Sequence, residues 1–250
     1  MYFTDSEEFK EKSGYVIDGV WYPRVTKIVD IKAKPALYRF YAGMNSFAEG
    51  EAVKEKSATE GTAVHEAAEA IFLGQTPEVN DQIKPAIIAF QDFLEKTKIE
   101  TQPEFVERRI VSHDHRYAGT VDAIAKINGK WGVLDIKTSQ SIYRDYNLQT
   151  AAYLDALKNY FHNLETRWIL RINQHQICGL CGATKRTKGG REKVKRNGRT
   201  LCSRHVWSEM KGEIEFQEFP SWQKDFEAFL GAKKLWEWEN DYQLKKIGYL

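Results

Sequence analysis

Val121-Asp-Ala-Ile-Ala-Lys-Ile-Asn-Gly-Lys-Trp-Gly-Val-Leu-Asp-Ile-Lys137 holds two apolar runs joined by Asn128-Gly129. Both central positions of a two-residue hairpin turn need positive φ, which asparagine and glycine tolerate, so an antiparallel hairpin with Ile127 opposite Lys130 is expected. In that register residues whose numbers sum to 257 face each other, which sets Asp122 against Asp135. Directly opposite Cβ atoms lie roughly 4.5–5.5 Å apart, where like charges repel. A positive group should therefore sit between the carboxylates. Lys137, two residues beyond Asp135 and on the same strand face, is one candidate. A hard divalent cation such as Mg²⁺ or Mn²⁺, which prefers carboxylate oxygens, is the other. An ordinary surface hairpin would need neither, but the flanks are apolar on both faces, from Val121, Ala123 and Ile124 to Val133, Leu134 and Ile136. That is the pattern of a buried sheet, where charges are seldom found without a partner or a metal.

At 250 residues the chain is long enough for a sizeable core as one large or two small domains. Its 42% apolar and 29% charged residues are those of a folded protein and exclude disorder as the default. No apolar run approaches the roughly 18 residues of a membrane helix, and the first residues lack the basic and apolar regions of a signal peptide, so no membrane association and a cytoplasmic location are expected. The net charge of +2 conceals an asymmetry. Nine Lys or Arg and a single acid, Glu192, lie between Lys185 and Arg204, leaving 28 bases and 34 acids elsewhere. Such a cluster suits a polyanionic partner; a solvated loop without one is the alternative.

Along the chain, Asp5 to Lys12 reads as a short helix and Tyr15 to Tyr22 as a small hairpin turning at Asp18-Gly19. Lys34 to Leu73 is helical, with Pro35 near a start and an expected interruption at Gly61-Thr62. Thr62 would cap a new helix carrying His65 and Glu69 one turn apart, ended by Gly74. Asp81 to Lys96 is a further amphipathic helix. Three strands follow, over Phe105–Val111, Thr120–Ile127 and Trp131–Lys137, then a helix from Asn147 to Phe161. Arg167 to Asn173 and Glu213 to Phe219 are the last strands, and one long helix from Trp222 to Tyr242 closes the chain. Helices leading into a sheet and crossing over it indicate α/β or α+β architecture.

Gly61-Thr-Ala-Val-His65, Glu107, Gly119-Thr-Val-Asp122, Asp135-Ile-Lys-Thr138 and Gln149-Thr-Ala-Ala-Tyr153 occur in an order that resembles the RecB-like branch of the PD-(D/E)XK nucleases, over residues 22 to 173. The resemblance implies a restriction-endonuclease-like core, a mixed central sheet flanked by helices, formed by residues 1–174 and 211–250. It also implies that His65, Asp122, Asp135 and the backbone carbonyl of Ile136 hold Mg²⁺ or Mn²⁺, with Lys137 acting on the water or the phosphate. Gln149 and Tyr153, four apart on one helix face, would lie beside the active site and the DNA backbone. Glu107 and Glu69 are possible additional ligands; Glu107 could instead pair with Arg108 or Arg109, and His65 could be a helix histidine without a ligand role.

Residues 175–210 form an insert between the last two strands that holds every cysteine: Cys178-Gly-Leu-Cys181, then Cys202-Ser-Arg-His205 after twenty residues. Two close pairs of N/S ligands fit a tetrahedral structural Zn²⁺ in a zinc-knuckle or ribbon-like module. Three cysteines in a cytoplasmic chain argue against a disulfide. Some RecB-like nucleases hold an iron–sulfur cluster with four cysteines, one of them before the core; this chain departs from that pattern. Lys185, Arg186, Lys188, Arg191, Lys193, Lys195, Arg196 and Arg199, in the loop between the ligand pairs, would reach phosphates as a nucleic-acid clamp.

The expected function is a Mg²⁺- or Mn²⁺-dependent deoxyribonuclease acting on single-stranded DNA or free ends, as an exonuclease or end-processing enzyme in repair, recombination or phage DNA metabolism. A helicase or recombination partner would be a separate chain. A non-catalytic nucleic-acid binder on the same scaffold, an endonuclease and an RNA nuclease are the alternatives.

Overall fold

The computed structural model describes residue 3 and residues 5–197 and 202–250. The chain begins with α1 (Ser6–Ser13), the ribbon β1 (Gly14–Ile17) and β2 (Val20–Pro23), then α2 (Val25–Val29), α3 (Pro35–Ala42), α4 (Phe47–Phe72) and α5 (Lys84–Lys96). Next come β3 (Ile99–Glu100), β4 (Val106–Ser112), β5 (Tyr117–Ile127), β6 (Lys130–Lys137) and α6 (Asp145–Leu157). After β7 (Leu164–Ile177) the chain forms β8 (Thr184–Lys188) and β9 (Arg191–Lys195), and it closes with β10 (Lys211–Glu218), α7 (Gln223–Glu239) and α8 (Asp241–Lys246). Among the described residues no helix is long and apolar enough to cross a membrane.

The Asn128-Gly129 turn forms with φ of 52° and 83°, and β5 pairs with β6 from Ile127–Lys130 to Ala123–Leu134 in the expected register. The central sheet runs β4-β5-β6-β7-β10, with β3 on the outer edge of β5. Among the described strands of this sheet only β6 and β7 pair in parallel, and α6 is the crossover that such a pair requires. Helices cover both faces, which is why the hairpin is apolar on both. Ile124 and Val133 pack with α2, α6 and α7, whereas Ala125, Ile127 and Leu134 pack with α4 and α5.

Several boundaries differ from expectation. α4 runs unbroken through Gly61-Thr62, so Thr62 caps nothing; the cap is Ser46, whose hydroxyl accepts the Glu49 N–H at 3.1 Å. A mid-helix glycine costs about 1 kcal/mol, which packing readily offsets. α5 starts at Lys84 because Pro85 stands in its first turn and the Asn80 side chain accepts the Ile83 N–H. α6 begins two residues early and stops at Leu157, and the closing helix breaks at Asn240 into α7 and α8. β7 is twice the expected strand, running 14 residues and carrying the sheet into the insert.

Arg167 in β7 is fully buried and ties four segments together. It donates to the carbonyls of Asn147, Phe219 and Ser221 and pairs with Asp225 at 2.7 Å. Arg167→Ala strands these acceptors and opens a cavity, so a loss of about 3–5 kcal/mol is expected in urea unfolding. A change below about 1 kcal/mol would contradict this role.

Candidate active site and metal centre

β5 departs from regular alternation at Asp122. Val121 packs with the cluster under α6 and Ala123, two residues on, with the cluster under α4, so the strand changes face between them. The β4–β5 ladder skips the Glu107–Asp122 pair, and Glu107 takes a φ of 46°, which few side-chain-bearing residues adopt. The β5–β6 ladder ends at Ala123–Leu134, one pair short of the aspartates. In place of a strand carbonyl, the Asp122 Oδ2 accepts the Ile136 N–H. The two carboxylates thus remain neighbours, but across an opening in the sheet rather than within a continuous ladder. Such irregularities cluster at functional sites because they re-aim side chains.

Asp135 is 1% exposed. Its Oδ1 accepts from Gln149 Nε2 at 3.0 Å, and the same amide reaches the Tyr153 hydroxyl at 2.9 Å, so α6 supports the acid from one side. Lys137 Nζ lies 2.6 Å from Oδ2 but outside good donor alignment, leaving that buried oxygen charge-balanced without a directed hydrogen bond. His65 arrives on α4 with Nδ1 3.8 Å from Asp122 Oδ1. The two glycines of the motifs serve these approaches: a Cβ at Gly119 would lie 2.5 Å from the Tyr153 ring, and one at Gly61 2.9 Å from Thr138 Oγ1. Tyr146, absent from the sequence reading, walls the lysine side with its ring centroid 5.1 Å from Lys137 Nζ. No local pattern marks it; it lies three residues before Gln149 on the same helix face.

Negative charge dominates the pocket. Burial raises the Asp135 carboxyl to about 6, with Lys137 opposing and Asp122 reinforcing the shift. Burial, then Asp122, Glu69 and Asp135, carries Glu107 up to about 7. Burial and the Lys137 and Lys188 ammoniums push His65 down to about 4 against the pull of Asp135, so its imidazole is neutral at pH 7. Lys137 itself stays protonated, because Asp135 and Asp122 outweigh its burial. Lys137 thus offsets Asp135 and Asp122, while Glu69 and Glu107 add negative charge beside them. The carboxylates of Asp122 and Asp135 and the neutral imidazole of His65 are donor types that a hard divalent cation accepts.

The second centre is more tightly gathered. The ligand atoms of Cys178, Cys181, Cys202 and His205 all lie within 4.8 Å of one another, the one such group among the described residues, and can hold a metal ion such as zinc. Tetrahedral zinc ligands stand roughly 3.5–3.8 Å apart, and Cys181 Sγ to His205 Nδ1 is 3.5 Å. The first pair sits on a tight turn in which the Gly182 N–H returns to the Cys178 carbonyl, with Gly182 at a φ of 69°. Burial raises the Cys178 thiol, but His205 and the backbone N–H groups of Leu180, Cys181 and Val206 outweigh it and bring the group down to about 6, toward the thiolate a metal needs. His205 stacks on Trp207 with centroids 4.6 Å apart.

No protein-family model matches the chain, and no curated protein does.

The segment between the ligand pairs is not the bare loop expected: β8 and β9 form a hairpin that folds back over α4. Its tip is held by the Gly189 N–H, which donates to both oxygens of Glu60 at 3.0 and 3.1 Å. Several of its basic side chains consequently serve internal contacts. Arg186 reaches Asn173 and the Thr138 carbonyl, Lys188 reaches the same carbonyl at 2.6 Å, and Lys185 pairs with Glu192. Arg191 approaches Met44 and Gly43, and Lys193 reaches Gln140. Lys195 and Arg196 are exposed. Arg199 lies outside the described residues.

Proposed function

We propose that this chain is a Mg²⁺- or Mn²⁺-dependent DNA nuclease with a restriction-endonuclease-like core, of the RecB-like PD-(D/E)XK type, stiffened by a structural zinc. The observation that carries the reading is Asp135, buried, its Oδ1 held by Gln149, its Oδ2 paired with Lys137 at 2.6 Å, and its charge set against that of Asp122. A non-catalytic scaffold has little use for such an arrangement, since uncompensated buried acids destabilise the fold. Asp122, Asp135 and neutral His65 would hold the ion, with the Ile136 carbonyl and Glu107 available at its margin. When bound, the ion polarises a water and a phosphate oxygen. Lys137, already protonated, stabilises charge developing on the phosphate. Gln149 and Tyr153 keep the Asp135 carboxylate oriented. The free-end or single-strand preference rests on the RecB-like resemblance.

The test is degradation of end-labelled linear and circular DNA, single- and double-stranded, with Mg²⁺ or Mn²⁺. Loss confined to linear forms is the expected result and makes the enzyme an exonuclease. Cutting of circles would require an endonuclease, and no cleavage of any form with either ion would overturn the reading.

Proton linkage supplies a further expectation. Asp135 and Glu107 have folded pKa values of about 6 and 7, raised above their unfolded ones, so protonation favours the folded state. The metal-free protein should gain stability as pH falls from about 8 through 6. Ion binding needs the ionised acids and should weaken over the same range. The increase in Tm on adding Mn²⁺ should therefore be larger at pH 8 than at pH 5.5; an equal increase at both would contradict it.

A further inference from the structure

α3 is amphipathic in sequence yet buries none of its residues. Tyr38 is 63% exposed and Phe47, opening α4, is 71% exposed, while Phe40 and Tyr41 are half-covered. Aromatic surface left open in this way marks a contact site. The rings are already arranged: Tyr41 and Phe47 stack with centroids 5.2 Å apart and planes 20° from parallel, and Phe40 meets Tyr41 edge-on at 5.2 Å.

Basic groups connect this patch to the acidic site. The Arg191 guanidinium lies 5.2 Å from the Phe40 ring centroid, placing the tip of the β8–β9 hairpin beside the rings. Lys56 stands next to the same tip, close to Gly190. Lys188 then contacts Thr138, the residue that follows Lys137. Between residues 185 and 197 there are seven Lys or Arg and one acid, Glu192, which is already paired. The fourteen helical rises from Phe47 to Gly61 span about 21 Å, room for a short run of nucleotides.

Exposed ring faces beside the cations Arg191 and Lys56 match what a single strand offers, unpaired bases along a polyanionic backbone. A duplex keeps its base faces stacked inside, and an acidic peptide would use the charges but not the rings. We infer that Tyr38, Phe40, Tyr41 and Phe47 form a base-stacking platform that receives single-stranded nucleic acid and leads it past Arg191 and Lys188 to Asp122 and Asp135. This rests on the nuclease reading only for what happens at the end of the track.

Binding without divalent ions separates the two. Fluorescence anisotropy of a labelled oligothymidylate should show roughly tenfold weaker binding for Tyr38→Ala and for Phe47→Ala. Phe47→Tyr should bind as the parent does, and a duplex of equal length should bind parent and variants alike. Both positions are exposed, and circular dichroism confirms that the variants are folded. Unchanged oligothymidylate binding by the alanine variants overturns the platform, as does an equal loss on the duplex. So does a patch needed only for self-association in sedimentation. Ring-dependent binding by a protein that cleaves nothing leaves the platform standing and removes the nuclease; cleavage by a protein whose binding ignores the rings does the reverse.

Discussion

Asp135→Ala and Lys137→Ala should each lower DNA cleavage by about 10³-fold or more while the protein stays folded. The two differ in stability, which separates a site effect from a folding effect. Asp122 and Asp135 face the protonated Lys137, Glu69 and Glu107 add negative charge beside them, and Asp135 bears a carboxyl already raised to about 6 by its burial. Removing one acid relieves repulsion, so Asp135→Asn, which keeps the shape and the Gln149 contact, should unfold at the same temperature as the parent or higher. Removing Lys137 strips the acids of their partner and should lower Tm by about 5–10 °C, with part of the loss recovered by Mn²⁺. Cleavage by purified Asp135→Ala at even a tenth of the parent rate would sink the mechanism. A Tm for Lys137→Ala equal to that of the parent would sink the electrostatic account.

The second large effect concerns zinc. Every residue of β9 is exposed and β8 is only half-buried, so the hairpin holds little core of its own. What orders it is the four-ligand cluster at its base and the clip of its tip onto α4. Structural zinc in small modules contributes apparent free energies of about 10–16 kcal/mol at neutral pH. Cys178→Ser together with Cys202→Ser should therefore abolish zinc content and expose the amides of β8 and β9 to rapid hydrogen exchange. With the tip released, Glu60 loses Gly189, and Thr138, one residue from Lys137, loses Arg186 and Lys188. Cleavage should fall with it, although no zinc ligand belongs to the acidic site. Protected β8 and β9 amides in a zinc-free protein would refute this.

Turn chemistry made the hairpin legible, since Asn128-Gly129 leaves one register open; that register holds from Ile127–Lys130 to Ala123–Leu134 and stops one pair short of the aspartates, where the irregularity in β5 was not legible. Spacing made the four-ligand cluster legible for the same reason: each pair closes within one local turn. What sequence could not show was long-range. The glycine at position 61 looked like a helix break, but its missing side chain admits Thr138, just past the end of β6 and more than seventy residues away. The basic segment looked like a loop because alternation in Lys185–Lys195 places charges on both faces, and only its docking onto α4 reveals a hairpin. Glu107 was legible as an acid near the site; its left-handed backbone and the skipped pair opposite it depend on how β4 and β5 fit around Asp122.

The acids at the β5–β6 opening are the centre of the account, and their ion dependence tests it most directly. Protein freed of exchangeable metal, with zinc retained, should degrade labelled DNA only when Mn²⁺ or Mg²⁺ is returned. The rate should follow occupancy of one site seen by Mn²⁺ electron paramagnetic resonance, and Asp122→Asn should lose both that signal and the activity. Cleavage that persists without a divalent ion, or an Asp122→Asn protein that still binds Mn²⁺ and cuts at the parent rate, would contradict it.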